Sequence, residues 1–138
     1  MNKIYIDGQA GTTGLQIHSR LSGRDDFEIL EIDSEYRKDL TARRELINAS
    51  DITILCLPDL AAKEAVSLAD SESVRILDAS SAHRITDQWV YGLPEISLAQ
   101  KSAIKNARWV SNPGCYPTGA ILLLRPLIEA GLLSPVYP

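Results

Sequence analysis

Asp7-Gly8-Gln9-Ala10-Gly11-Thr12-Thr13-Gly14 is the stretch that decides how this chain is read. Its glycines form a GxxGxxG pattern between a short apolar run at residues 3–7 and a helical pattern at residues 13–21. A tight strand-to-helix turn needs glycine, and a pyrophosphate must come close to the backbone amides that open the helix. The last glycine lets the helix pack against the strand. The second glycine stands one place away from its position in the commonest dinucleotide fingerprint, and the alternative is an ordinary glycine-rich turn. No Gly-Lys-Ser/Thr follows, which excludes a Walker loop. Gly8, Gln9, Ala10, Gly11, Thr12, Thr13 and Gly14 are therefore the expected cofactor-binding residues.

Outward from this loop, β-like runs alternate with helical ones to the end of the chain. Strands are expected at residues 27–32, 52–57, 74–77 and 108–110. Helices are expected at residues 40–49 with Asp39 as N-cap, from Asp59 as cap through 69, at 97–106, and at 118–130 with Gly131 in the C-cap position. Leu15 and Leu21 are the expected core positions of the first helix, and Ala62, Ala65, Val66 and Ala69 share one face of the third. Residues 79–95 form a long connection with little periodicity, a length that points to functional or irregular structure. The alternation implies the α/β class: a Rossmann-like, doubly wound parallel sheet with helices on both faces and right-handed crossovers.

Composition narrows the class further. A chain of 138 residues suits one domain, and 45% hydrophobic with 23% charged residues is ordinary for a globular protein. A net charge of −4 argues against a nucleic-acid partner. The first residues lack the apolar core of a signal peptide, and the longest apolar run, residues 120–124, stops at Arg125. No membrane partner and a cytoplasmic location are expected. The two cysteines, Cys56 and Cys115, show no metal-site spacing, so no metal is expected and free thiols are the simplest reading.

Asp33 closes the second expected strand where an acidic residue would bind a ribose diol. Ser34 and Arg37 could instead hold the extra phosphate of NADP, and a solvated charged loop is the third alternative.

Cys115 lies in Ser111-Asn112-Pro113-Gly114-Cys115-Tyr116-Pro117-Thr118-Gly119, after a strand and before a helix. The positive end of the helix dipole and unpaired amides there favour a thiolate. Pro117 suits a first helical turn, and Pro113 with Gly114 shapes the approach to the thiol. Cys115 is the expected catalytic nucleophile. Cys56, inside an apolar strand, reads as core packing.

These residues resemble the N-acetyl-γ-glutamyl-phosphate reductases of arginine biosynthesis, in their shorter form. The resemblance rests on residues 111–119, on Tyr91-Gly92-Leu93-Pro94-Glu95, on Asp78-Ala79-Ser80-Ser81 and on the glycine loop, which fall in the family's order. It implies NADPH-dependent reduction of the acyl phosphate, a small-molecule substrate, to the semialdehyde with release of phosphate. Cys115 matches the family's nucleophile, which forms a thioester that hydride then reduces. Asn112 would help position substrate, and Arg84 is a candidate phosphate ligand, with an exposed structural arginine as the alternative. The resemblance also implies that residues 1–113 are an NAD(P)-binding domain. Residues 114–138 would carry the nucleophile loop, a helix and the start of a substrate and dimerisation domain, otherwise absent, which would supply the catalytic histidine. The whole protein would be a homo-oligomer, and this fragment alone would be inactive. Neither His18 nor His83 matches that histidine, and both are expected to be non-catalytic. The alternatives are another acyl-phosphate reductase, such as aspartate-semialdehyde dehydrogenase, and a non-catalytic NAD(P)-binding module.

Overall fold

Residues 1–136 are described by the structure, a computed structural model. Tyr137 and Pro138, the last two residues of the expected 114–138 segment, lie outside the described residues. The strands are β1 (Asn2–Asp7), β2 (Phe27–Leu30), β3 (Ile52–Leu55), β4 (Arg75–Asp78), β5 (Val90–Tyr91) and β6 (Trp109–Ser111). The helices are α1 (Thr12–Leu21), α2 (Leu40–Ala49), α3 (Asp59–Ser67), α4 (Leu98–Asn106) and α5 (Cys115–Glu129). All strand pairs are parallel, in the order β2-β1-β3-β4-β6-β5. The chain first winds outward from β1 to β2, then reverses to β3 on the other side of β1. That reversal opens a crevice at the carboxyl ends of β1 and β3.

Alternation along the strands sends successive side chains to opposite faces. Ile4, Ile6 and Ile54 point to one face and pack with Ile17 and Leu21 of α1. Tyr5, Leu55 and Ile76 point to the other face and pack with Ile47 of α2 and Ala62 and Ala65 of α3. Arg75, next to Ile76, therefore faces the α1 side. There its guanidinium donates to the carbonyls of Ala107 at 2.9 Å and Ile104 at 3.0 Å, closing the end of α4. Each large side chain fully buried in these layers contributes about 2 kcal/mol, so the two apolar faces carry most of the stability.

Several expectations need correction. Leu15 is 58% exposed, because the inward stripe of α1 runs through Gly14, Ile17 and Leu21, and Leu15 lies a hundred-degree step away. Asp59 is the first residue of α3, not its cap: Pro58 occupies the cap, and the Asp59 carboxylate turns to Ser81. The last helix begins at Cys115, three residues earlier than expected, since Pro117 falls in the first turn where its missing N–H costs nothing. Gly131 follows it with φ 69°, and the Leu132 amide reaches back to the Leu127 carbonyl in a Schellman-type ending. The 79–95 connection contains β5, whose two residues pair with Val110 and Ser111 and make a sixth strand. Periodicity cannot register so short a segment.

At the end of β1, Asp7 is buried with Arg43 of α2, whose Nε and Nη2 lie 3.2 and 2.9 Å from Asp7 Oδ2. Arg43 Nη1 reaches Glu64 of α3 at 3.0 Å, and the Tyr5 hydroxyl meets Asp7 Oδ1 at 3.5 Å. Removing one partner of a buried pair leaves the other charge unpaired. Asp7→Ala is therefore expected to lower the unfolding free energy by about 3 kcal/mol, read from urea midpoints at constant m-value. A loss below about 1 kcal/mol would mean that Glu64 alone satisfies Arg43.

Candidate active site

Two loops meet the carboxyl edge of the sheet. The first is the glycine loop after β1. Gly8 has φ 89°, and a Cβ there would lie 2.3 Å from the Cys56 carbonyl oxygen, so only glycine lets β1 turn beside β3. Gly14 is buried, and a Cβ there would lie 2.3 Å from the Gly8 carbonyl oxygen, which is what seats α1 on the loop. Gly11 is the N-cap of α1 and offers no side chain to the first-turn amides. Thr12 and Thr13 are exposed in that turn, Ala10 is exposed before it, and Gln9 donates through Nε2 to the Ile32 carbonyl at 3.1 Å.

The loop forms one wall of a cleft of about 500 Å³, closed by Ile32, Arg37, Lys38, Leu57 and Ala61, with Arg43 and Glu64 at its floor. Arg37 thus shares a cavity with Gly8, Gln9, Ala10 and Gly11, whereas Ser34 is exposed outside the lining. Uncapped helix amides, a cation at the far wall and a volume in the range of small-molecule sites fit a phosphate-bearing nucleotide. The buried Gln9 Oε1 has no partner among the described residues, leaving one acceptor in this cleft wall unused. Lys38, Arg43 and Glu64 were missed as lining residues by sequence reasoning. Arg43 left a signal, since it stands four residues before Ile47 on the buried face of α2.

The second loop joins β6 to α5. Cys115 is exposed at the first residue of α5, where no side chain caps the helix. Asn112 is exposed; its amide donates to the Asp78 carbonyl at 2.7 Å, and its own carbonyl accepts from Arg84 Nε at 3.1 Å. Arg84 Nη2 donates to the Ala79 carbonyl at 3.3 Å. A Cβ on Gly114 would lie 2.7 Å from Arg84 Nη1, so this glycine lets the guanidinium lie against the backbone just before Cys115. The structure thus brings Arg84, Asn112 and Cys115 together. Beside them, Asp59 receives the Ser81 amide and hydroxyl at 3.0 and 2.8 Å, and the hydroxyl bond holds its carboxyl below the ordinary range. Three strand spacings separate β1 from β6, about 14 Å, so the glycine loop and Cys115 face one edge at a distance a dinucleotide can bridge.

Cys56 follows β3 and is half-buried against the α1-side cluster. Burial, reinforced by the charges of Asp7 and Asp78, pushes its thiol up to about 11. His18 meets Glu31 at 3.0 Å on the surface, away from both loops, while His83 is buried against Asp78. Among the described residues no three His, Cys, Asp or Glu side chains gather to hold a metal ion, and no helix is long and apolar enough to cross a membrane.

The sequence profile of the family described as "Semialdehyde dehydrogenase, NAD binding domain" matches residues 3–107. The N-acetyl-gamma-glutamyl-phosphate reductase 2 of Nostoc sp. is 57% identical over 136 residues, 99% of this chain and 42% of that protein. The protein of the same name from Pseudomonas putida is 57% identical over 135 residues, 98% of this chain and 43% of its own length. The chain therefore spans about two fifths of the curated relatives it matches. Among solved structures, aspartate semialdehyde dehydrogenase from Francisella tularensis superposes with a TM-score of 0.71 at 18% identity, covering 95% of this chain and 42% of that one. The enzyme from Candida albicans, solved with NADP, gives 0.67 at 14% identity, covering 96% and 48%. At these identities the structural likeness shows the fold alone.

The contrast between the thiols is measurable. With Cys56 raised by burial and Cys115 exposed, alkylation of the native chain near neutral pH is expected to label Cys115 at least ~10-fold faster, and labelling of Cys56 should climb only as the pH approaches about 11. Peptide mapping after a short pulse of iodoacetamide gives the ratio, and equal rates would contradict the assignment of the two environments.

Proposed function

This chain belongs to the semialdehyde dehydrogenase NAD-binding domain family, and on that premise we propose that it is the nucleotide-binding part of an NADPH-dependent N-acetyl-γ-glutamyl-phosphate reductase. The observation that carries this reading is the meeting of Cys115, Arg84 and Asn112 on the sheet edge that also bears the glycine loop. The 57% identity to reductases of that name supports the substrate, a small acyl phosphate made in arginine biosynthesis.

In this reading the Cys115 thiolate attacks the acyl carbon, the carbon–oxygen bond to phosphate breaks, and a thioester forms on the cysteine. The Nη1 edge of Arg84, lying against Gly114 and without a hydrogen-bond partner among the described residues, supports a role in holding the phosphate before and as it leaves. The first-turn amides of α5 are suited to the oxyanion that develops at the acyl oxygen. Asn112, fixed at both ends of its peptide, would orient the substrate chain. The bound dinucleotide supplies hydride for reduction of the thioester. Gly8, Gln9, Ala10, Gly11, Thr12, Thr13 and Gly14 would cradle its pyrophosphate. Arg37, in the cleft wall beside Lys38, supports a phosphate on the adenosine ribose, hence NADPH, with Ser34 nearby in sequence.

The proposed division is a nucleotide-binding unit at residues 1–113 and a segment from residue 114 that leads into the substrate and dimerisation part, source of the catalytic histidine. Leu123, Leu127 and Leu132, exposed on and just after α5, support further burial in the whole enzyme, proposed to be a cytoplasmic homo-oligomer.

Two measurements test this. Arg37→Ala in this chain is expected to weaken NADPH binding by about tenfold, one lost charge-assisted contact, while leaving NADH binding within twofold of the parent (~0.4 kcal/mol), by fluorescence titration; equal weakening would remove Arg37 from the phosphate site. In the whole enzyme, Cys115→Ser is expected to reduce turnover by about 10³-fold or more with NADPH affinity unchanged, and normal turnover would remove Cys115 as nucleophile.

A further inference from the structure

We propose that His83 is a positioning residue for this reaction: by bonding to the buried Asp78 it holds the 79–86 loop so that Arg84 locks the turn carrying Cys115. The inference rests on the reading of Arg84 and Cys115 given above, and the experiment separates its failure from theirs.

The polar cluster begins at the end of β4. Asp78 is fully buried, and its carboxylate collects three donors: the Ser80 amide at 2.9 Å, the Ser80 hydroxyl at 2.7 Å and His83 Nδ1 at 2.6 Å. A carboxylate only accepts, so Nδ1 carries the proton. The His83 ring is stacked on Trp89 with centroids 4.1 Å apart and planes 12° apart, and Trp89 in turn lies 5.6 Å from Trp109 of β6. Held at its edge by Asp78 and on its face by Trp89, the imidazole has no freedom to turn. Its backbone carbonyl accepts from the Thr86 hydroxyl at 2.9 Å, which closes the loop on the far side.

The next residue is Arg84. Its Nε and Nη2 bond the Asn112 and Ala79 carbonyls, and its Nη1, without a hydrogen-bond partner among the described residues, lies over Gly114. The Asn112 amide meanwhile donates to the Asp78 carbonyl. The residue before Pro113 is thus held from both sides by the end of one strand: directly through the Asp78 backbone, and through the Asp78 side chain by way of His83 and Arg84. Burying a carboxylate is costly unless its partners are well placed, and apolar packing could fill this space at lower cost. What the polar cluster adds is a single direction for the loop.

The test uses the 138-residue chain with two alkylating reagents of similar size, anionic iodoacetate and neutral iodoacetamide. The ratio of their rates at Cys115 reports a cation held beside the thiol, and a purely structural residue would change the melting temperature without moving it. Arg84→Ala is expected to lower the ratio about threefold. His83→Phe keeps a ring against Trp89 and removes the donor; it should lower the ratio by the same factor, with no further loss in the double variant. His83→Asn, whose amide can stand in for Nδ1, should keep a ratio near that of the parent. Thermal melting and the near-ultraviolet signal of Trp89 and Trp109 establish that each variant is folded. An unchanged ratio in folded His83→Phe, with Arg84→Ala lowering it, overturns the inference and leaves Arg84 beside the thiol. An unchanged ratio in Arg84→Ala overturns the reading of Arg84, and the inference falls with it. Should His83→Phe not fold, His83→Gln decides, since its amide nitrogen takes the place of Nε2 and not of Nδ1: a ratio at the Arg84→Ala level supports the role, and a parental ratio overturns it.

Discussion

Two backbone contacts that leave no room for a side chain set the position of nearly everything else. Gly8 meets the Cys56 carbonyl and Gly14 meets the Gly8 carbonyl, each at a distance where a Cβ would overlap the oxygen. The first contact brings the turn after β1 against the end of β3, and the second seats α1 on that turn. Together they place the uncapped start of α1 over the crevice left by the reversal from β2 to β3. An uncapped helix start and a topological crevice then coincide because of glycine.

The same edge is stiffened by two buried aspartates, one at the last residue of β1 and one at the last residue of β4. Each solves the problem of a buried carboxylate with a partner from outside its own strand. Asp7 takes the Arg43 guanidinium from α2 and so fixes the floor of the cleft beside the glycine loop. Asp78 takes the His83 imidazole from the following loop and so fixes the approach to Cys115. The pairs differ in reach: Arg43 also engages Glu64 of α3 and ties two helices together, whereas His83 is confined to its own loop and the tryptophan stack. In a parallel sheet the C-terminal residues of strands face the functional edge, so anchors placed there stiffen the site itself.

Much of this was legible in the sequence. The glycine loop, the alternation of strands and helices, and the contrast between Cys56 and Cys115 all depend on neighbours within a few residues, where spacing and turn chemistry act. The misreadings have equally local causes. Leu15 looked like core because it is apolar, but the stripe that faces the sheet is fixed by Gly14. Asp59 looked like a cap because capping is its commonest role beside a helix start, yet Ser81, more than twenty residues away, claimed its carboxylate. A strand of two residues, β5, exists only because the edge of β6 was open to it.

By itself the sequence determined the α/β class, the glycine turn between the first strand and helix, and a cysteine set at a helix start, because each is written in residue types at short spacing. Only the tertiary structure decided that Arg84 lies against Gly114, that Arg37 and Lys38 share the cleft of the glycine loop, and that His83 is bound to Asp78. The physical reason is the parallel sheet. Its crossovers bring the ends of β1, β3, β4 and β6 side by side, so groups separated by tens of residues become neighbours through strand order, which no local pattern encodes.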